Sequence, residues 1–315
     1  MDRSELHLTR DCDRETLRRR MSSGELVRLR RGAFVRKPST EPGSAELRDK
    51  ALLTLHAVES TLTAPHAFSH GSAALLWGLT LWRLPKYVHL RQAYRAGGMH
   101  SADVKRHIGL PDVAEVRQGV PVTTLSASVV DCVRSMPPLA GLVVADCALH
   151  HGLSRTRLAC DIAEVVGTRG LARAKRILTI ADAGAESPWE TWVRFQVLQI
   201  GLPPPITQFP VEADGHTYRL DLYWPEHRVW LEFDGANKYD DNAYGSGKSG
   251  RQVLLEEKRR EDEITSVLGV RPLRVMATAS RHWPVLRSRI LARFPEHVAQ
   301  QAQPQPWMLA GSSDY

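Results

Sequence analysis

The stretch RLDLYWPEHRVWLEFDG, from Arg219 to Gly235, has the pattern of a β-hairpin but carries acids at Asp221, Glu232 and Asp234. Two runs of strand-forming residues flank a turn that begins with proline, as in a hairpin. Successive side chains of a strand point to opposite faces, so the three acids share the face that the leucines do not occupy. The stretch therefore predicts carboxylates gathered on one side of a hairpin.

The register of this hairpin follows from the length of its turn. If Pro225–Arg228 forms a four-residue loop, Trp224 pairs with Val229, and Asp221 then lies directly opposite Glu232. Facing like charges repel each other and need compensation. Full exposure to water, a shared proton, a neighbouring cation or a divalent metal could each supply it.

The segments around the hairpin predict the order helix, three strands, helix, strand. The helix SPWETWVRFQVLQIG has Ser187 as its N-cap, Glu190 at its third position and Gly201 at its end. TQFPVE supplies a strand before the hairpin, and RQVLLEEKRREDEITSVLGVRPLRVMA supplies a long helix and a strand after it. Ser187 and Glu190 also spell a capping box, so Glu190 has a structural alternative.

This order, with acids at these positions, resembles the core of the PD-(D/E)XK nuclease superfamily. ESPWE, EEKRREDE and LGVRPLRV resemble more narrowly the group related to very-short-patch repair endonuclease, and the likeness covers about residues 186–293. The resemblance implies that Asp221 and Glu232, with Glu190 as a further ligand, bind Mg²⁺, for which Mn²⁺ can substitute. Mg²⁺ favours a few carboxylates together with water and phosphate oxygens.

The sequence departs from the superfamily pattern at the lysine expected two residues after the glutamate, where Asp234 stands. Lys238 and Lys258 are the two candidates to replace it. The catalytic candidates are therefore Glu190, Asp221, Glu232, Asp234, Lys238 and Lys258. Each has an alternative, since Asp234 could shape the turn at Gly235 and lysines are commonly only solvated.

The N-terminal segment DRETLRRRMSSGELVRLRRGAFVRK predicts a helix capped by Asp13 and then a basic hairpin over Leu26–Val35. It resembles the winged-helix region of the AbiEi-type antitoxin family, as FSHGSAALLWGL (Phe68–Leu79) resembles that family's middle region. The resemblance implies DNA binding, for which the candidates are Arg14, Arg18, Arg19, Arg28, Arg30 and Arg31. A solvated basic face without a ligand is the alternative.

Composition sets the remaining expectations. The 315 residues carry 42 Lys and Arg against 35 Asp and Glu, an excess that suits a polyanionic partner. Four scattered cysteines favour a reducing compartment, and no apolar run reaches the roughly 18 residues that span a bilayer, so we expect a cytoplasmic protein without a membrane partner.

Two weaker motifs give negative predictions. Cys147, His150, His151 and Cys160 do not have the spacing of a zinc site, and His70 is expected to be a packed or helix-entry histidine. GSGKSG lacks the first glycine of a phosphate-binding P-loop.

The sequence thus predicts an α+β or α/β multidomain protein. Its parts are a winged helix-turn-helix at 1–40, a mixed α/β antitoxin-like region at 44–182, a restriction-endonuclease-like α/β core at 183–296 and a disordered tail at 297–315. The leading functional hypothesis is a DNA-binding, Mg²⁺-dependent endodeoxyribonuclease. The alternatives are a non-catalytic AbiEi-type antitoxin that regulates a promoter, with a toxin as possible partner, and RNA processing by the same acids.

Overall fold

The computed structural model describes residues 5–37, 43–93, 102–109, 114–235 and 250–309. The candidate Lys238 and the GSGKSG motif up to residue 249 lie outside these ranges. The chain is a mixed α and β protein, as predicted, and its described residues form three sheets. No described helix is both long and apolar enough to cross a membrane.

The elements follow one another in two halves. Before residue 182 they are β1 (His7–Leu8), α1 (Arg14–Ser22), β2 (Leu26–Arg30), β3 (Ala33–Arg36), α2 (Ser44–Glu59), β4 (His66–Phe68), α3 (His70–Leu76), β5 (Val88–Gln92), β6 (Val104–Ile108), β7 (Ala114–Arg117), β8 (Val120–Thr123), α4 (Leu125–Ser135), α5 (Pro138–His150), α6 (Arg155–Glu164) and α7 (Leu171–Ile180). After it they are α8 (Pro188–Gln199), β9 (Ile206–Ala213), β10 (His216–Trp224), β11 (Val229–Asp234), α9 (Gly250–Leu268), β12 (Leu273–Met276), α10 (Trp283–Leu291) and α11 (Glu296–Gln301).

Two compact units divide these elements. The first takes the described residues up to Met136 together with Arg155–Leu171, and the second takes Pro137–Ser154 and the described residues from Ala172 onward. This division differs from the boundary predicted at residues 182 and 183. A buried ion pair is one of the contacts that join α5 to the C-terminal elements, because Asp146 of α5 lies 2.6 Å from Arg194 of α8.

The first unit begins with a three-stranded antiparallel sheet in the order β1, β3, β2, which packs on α1. The predicted cap is confirmed, since Asp13 Oδ2 accepts a hydrogen bond of 2.9 Å from Thr16 N. The predicted hairpin over Leu26–Val35 is confirmed as well. Residues 5–37 hold one helix, however, so the helix-turn-helix predicted for residues 1–40 is not formed there; the pattern of one helix and a hairpin lacks the second helix that the motif needs.

The second sheet of this unit has five strands in the order β6, β5, β4, β8, β7. Its apolar face carries Val88 and Leu90 of β5 and Val104 of β6, and these side chains belong to a core that also contains residues of α2 and α3. Strands β5 and β6 are parallel, with His89 beside Lys105 and Arg91 beside His107. These four polar residues therefore share the face opposite the core.

The second unit contains a four-stranded sheet in the order β12, β11, β10, β9. Trp224 pairs with Val229 and Leu222 with Leu231, which confirms the predicted register of the hairpin. Strands β11 and β12 are parallel, and α9 is the helix between them in the chain. Ile264 of α9 is fully buried against Tyr223 and Trp230, so α9 covers the face that carries the acids.

The prediction of a disordered tail from residue 297 is wrong as far as Leu309. Residues Glu296–Gln301 form α11, Gln305 N donates a hydrogen bond of 2.8 Å to Gln199 O, and the side chain of Met308 is buried. The polar, proline-containing composition suggested disorder, but one apolar side chain and backbone bonds to the end of α8 hold the segment.

Candidate active site in the second unit

Asp221 and Glu232 come together on neighbouring strands, as the register predicts. Asp221 precedes Leu222 and Glu232 follows Leu231, and these two leucines are paired. Asp221 Oδ2 accepts a hydrogen bond of 2.8 Å from the backbone N of Phe233, so the aspartate bridges β10 and β11. Burial raises the pKa of Glu232, whose residue is 7% exposed; Arg260 counteracts this rise and the charge of Asp221 adds to it.

A cation from α9 compensates the two facing acids. Arg260 Nη2 lies 2.8 Å from Glu232 Oε1 and donates a hydrogen bond of 2.8 Å to the backbone O of Arg219. This arginine therefore joins the helix to both strands of the hairpin. A neighbouring cation, one of the four forms of compensation that the sequence left open, is therefore present.

A second arginine organises the outer part of the cluster. Arg274 on β12 donates to Asp234 Oδ2 at 3.2 Å and to Glu261 Oε2 at 2.9 and 3.0 Å, and it stands beside Glu232 in the parallel register. The ion pair with Arg274 gives Asp234 a role different from the turn-forming alternative. The cluster has four acids, so with Arg260 and Arg274 it carries a net charge of −2 when all are ionised. The acids are Asp221, Glu232, Asp234 and Glu261.

One buried carboxylate oxygen in this cluster has unused bonding capacity. Among the described residues, Asp234 Oδ1 accepts no hydrogen bond, whereas Glu232 Oε1 lies 2.8 Å from Arg260 Nη2. A buried acceptor without a donor is costly. Carboxylate oxygens are the ligands that Mg²⁺ prefers, so Asp221, Glu232 and Asp234 fit such an ion.

Glu190 lies near this cluster but is engaged as a helix cap. Its Oε2 accepts hydrogen bonds from Glu186 N at 2.9 Å and from Gln208 Nε2 at 3.4 Å, while Ser187 Oγ accepts from Glu190 N at 3.1 Å. Burial raises the pKa of Glu190. On β9, Phe209 pairs with Leu220 and Thr207 with Leu222, so Gln208 lies opposite Asp221. The backbone of Gln208 is left-handed, with a φ of 50°.

The predicted lysines do not form the site that the structure describes. Lys258 is exposed on α9, and Lys238 lies outside the described residues. The α9 side chains that reach the acids and Arg274 are Arg260 and Glu261. At 100° per residue, Arg260 and Glu261 fall on the same side of α9 as Ile264, Val267 and Leu268, and charged residues in this apolar stripe are the signal for a polar site beneath the helix.

The N-terminal arginines differ from one another in exposure. Arg30, one of the predicted DNA-binding residues, is engaged within the protein: its side chain is 8% exposed, lies 2.9 Å from Asp103 and donates to Ala57 O and Thr61 Oγ1. The tip of the hairpin is turned toward α2 at this position, so the guanidinium serves packing. The other five candidates are exposed: Arg14, Arg18, Arg19, Arg28 and Arg31.

A cluster of three histidines in the first unit was not predicted. The ligand nitrogens of His70, His89 and His107 all lie within 4.8 Å of one another. The sequence predicts a packed or helix-entry role for His70 and gives no prediction for the other two histidines. The alternation of side chains along β5 and β6 shows which residues of each strand share a face. It does not show that His89 and His107 lie on the same face of the sheet, because that depends on the parallel register of the two strands.

Comparisons with known proteins give limited further information. No family model matches the chain. Two Mycobacterium tuberculosis proteins, uncharacterized protein MT2308 of strain CDC 1551 / Oshkosh and uncharacterized protein Rv2248 of strain ATCC 25618 / H37Rv, are 27% identical over 171 residues, or 54% of this chain. The matched region spans 58% of the length of each relative.

One solved structure is also similar. The crystal structure of the RV2827C protein from Mycobacterium tuberculosis matches with a TM-score of 0.38 and 17% sequence identity, covering 68% of this chain and 85% of that one.

Proposed function

We propose that the second unit hydrolyses phosphodiester bonds of DNA with the help of Mg²⁺ held by Asp221 and Glu232. The observation that supports this most is the meeting of Asp221, Glu232 and Asp234 on adjacent strands, where the buried Asp234 Oδ1 accepts no hydrogen bond among the described residues. A purely structural ion-pair cluster would be expected to satisfy such an oxygen. Mn²⁺ is the expected substitute ion.

The residues of the cluster have separate roles in this proposal. When bound, the ion would supply a polarised water and charge stabilisation at the phosphate. Asp221, whose carboxylate is oriented by the backbone N of Phe233, would be one ligand of the ion. Arg260 takes the part of the missing lysine, since its guanidinium is anchored on Arg219 O, one-third exposed and suited to a phosphate oxygen.

Arg274 is a positioning residue for Asp234. It fixes one carboxylate oxygen of Asp234 at 3.2 Å, while the other accepts no hydrogen bond from any residue that the structure describes. Its second partner, Glu261, ties β12 to α9 beside the same cluster. Glu190 would lie at the edge of the site, because its carboxylate is occupied by a backbone amide and by Gln208.

A cleavage assay tests the proposal. Supercoiled and linear DNA would be incubated with the full chain in Mg²⁺ or Mn²⁺, using wild type, Asp221→Asn, Glu232→Gln and the control Asp262→Asn. Asp262 is an exposed acid on the same helix as Arg260, and its carboxylate is 55% exposed. We expect nicking by wild type and the control, and a loss of at least about 100-fold in the two site variants. Equal nicking by all four proteins, or none by wild type with either ion, would contradict the proposal.

A second candidate function is a non-catalytic DNA-binding regulator of the AbiEi type. The exposed arginines on α1 and the hairpin favour it, as does the ion pairing of Glu232 and Asp234 with arginines. It predicts salt-dependent DNA binding that weakens when Arg18 and Arg31 are neutralised and that is unaffected by Glu232→Gln. Promoter gel-shift assays with these variants distinguish the two functions, and a toxin partner would be sought by co-purification.

A further inference from the structure

The histidine cluster of the first unit is built by three neighbouring elements. His89 of β5 and His107 of β6 project from one face of the five-stranded sheet, and His70 begins α3 directly after β4. His89 Nδ1 lies 3.0 Å from His107 Nε2, and the rings of His70 and His107 are stacked with centroids 3.9 Å apart. His70 and His89 are buried.

We propose that His70, His89 and His107 bind one divalent transition-metal ion, and that Zn²⁺ fits the site best. Three imidazole nitrogens with a fourth position left to water or an anion are a ligand set that zinc uses. Nitrogen donors favour zinc and its neighbours in the first transition row over Mg²⁺ or Ca²⁺, which prefer oxygen. Two nitrogens on one tetrahedral zinc are about 3.4 Å apart, so side-chain shifts of about 1 Å would complete the set.

His70 is oriented as a metal ligand would be. Its Nδ1 lies 2.9 Å from Ser69 Oγ and 3.6 Å from Asp131 Oδ2, which leaves Nε2 available to the ion. A carboxylate behind a ligating histidine is a recurrent feature of zinc sites. The backbone of His70 has a φ of 52°, a left-handed conformation that costs free energy for a residue with a side chain. The strain lies at the residue that carries the ring into the cluster.

Burial keeps the three imidazoles in the form that binds metals. Burial lowers the pKa of His89 to about 3 and that of His107 to about 4, and it lowers the pKa of His70 as well. Neutral imidazole is the metal-binding form. All three rings therefore offer a lone pair at neutral pH.

Charged neighbours decide what completes the coordination. Arg91 is bonded to Asp131 at 2.7 Å, Arg134 lies 3.6 Å from the same carboxylate, and Lys105 is beside His89 in the sheet. Three cations against one acid oppose a bare dication. They favour an anion, such as hydroxide or a phosphate oxygen, as the fourth ligand.

Metal titration of the full chain, freed of metal with EDTA, tests the site. Zn²⁺ binding would be measured in competition with a chromophoric chelator, and Co²⁺ binding by the visible spectrum of a tetrahedral nitrogen site. The variant is His107→Ala, on an edge strand and only partly buried, and the control is His150→Ala with His151→Ala, an exposed pair in the other unit. Circular dichroism would check that each variant is folded.

We expect one Zn²⁺ equivalent in wild type and in the control, and at least about 100-fold weaker binding in His107→Ala, since even outer-shell changes cost 10- to 100-fold. Asp131→Asn should weaken binding about 10-fold or more. Glu232→Gln should bind Zn²⁺ as wild type does, which separates this site from the acidic cluster. Wild type without a bound equivalent, or His107→Ala with unchanged affinity and cobalt spectrum, would overturn the proposal.

Discussion

Replacing Asp146 by alanine should strongly destabilise the second unit. The carboxylate of Asp146 is 1% exposed and accepts hydrogen bonds from Arg194 Nη2 at 2.6 Å, Thr191 Oγ1 at 2.9 Å and Asp182 N at 2.8 Å. Without it, the guanidinium of Arg194, itself 4% exposed, loses the carboxylate that neutralises it. Removing one partner of a buried ion pair costs about 3–5 kcal/mol.

The free energy of unfolding would be measured with urea, followed by the fluorescence of Trp189 and Trp192, which lie on α8 close to Arg194. A loss of about 4 kcal/mol lowers the melting temperature of a unit of this size by about 8–16 °C. Asp262→Ala is the matched control and should change the free energy by less than about 0.5 kcal/mol, because Asp262 is exposed.

The double variant Asp146→Ala with Arg194→Met should recover part of the loss, because it removes the uncompensated charge together with its partner. The amide of Asp182 and the hydroxyl of Thr191 would still lack an acceptor, so recovery should be incomplete. A single variant that loses less than about 1 kcal/mol would refute the view that this pair joins α5 to the C-terminal elements.

Two further predictions concern the first unit. Arg30→Ala should lower the free energy of unfolding of this unit by about 2–3 kcal/mol, since a charged side chain with three partners is removed. Arg31→Ala, at an exposed residue, should leave it unchanged. Urea denaturation compares the two variants, and equal losses would contradict the buried role of Arg30. The pKa of His89, lowered by burial to about 3, makes the metal-free protein less stable as pH falls below 6.5, because the unfolded state then takes up protons that the folded state excludes. His89 alone should account for a loss of about 2 kcal/mol in the free energy of unfolding between pH 8 and pH 5. His89→Asn should reduce this pH dependence, measured by urea unfolding at the two pH values, and an unchanged dependence would contradict the prediction.

Local patterns predicted the acidic hairpin well. The turn between Trp224 and Val229 and the alternation of the strands are short-range features, so the meeting of Asp221 with Glu232 could be derived from the sequence. The compensating Arg260 could not, because it lies 28 residues beyond Glu232 in the chain, and the turn of α9 that faces the sheet depends on the packing of Ile264. Helical periodicity indicated only that charged residues interrupt the apolar face.

Long-range contacts account for the expectations that failed. Arg30 occupies the basic tip of a hairpin, where exposure is the usual outcome, but Asp103, 73 residues away, draws it into a buried ion pair. The histidine cluster depends on the parallel pairing of β5 and β6, which no local pattern specifies. The contact of α5 with the C-terminal elements is of the same kind, since the ion pair between Asp146 and Arg194 spans 48 residues.

The central claim, that the facing carboxylates hold a divalent ion, is tested most directly by Mn²⁺ binding followed by electron paramagnetic resonance. Wild type and Asp262→Asn should each bind an ion that Mg²⁺ displaces, and Asp221→Asn and Glu232→Gln should both lose it while remaining folded. Equal Mn²⁺ binding by all four proteins, or no binding by wild type, would show that Asp221 and Glu232 do not hold the ion, and the proposal of a metal-dependent nuclease would then be wrong.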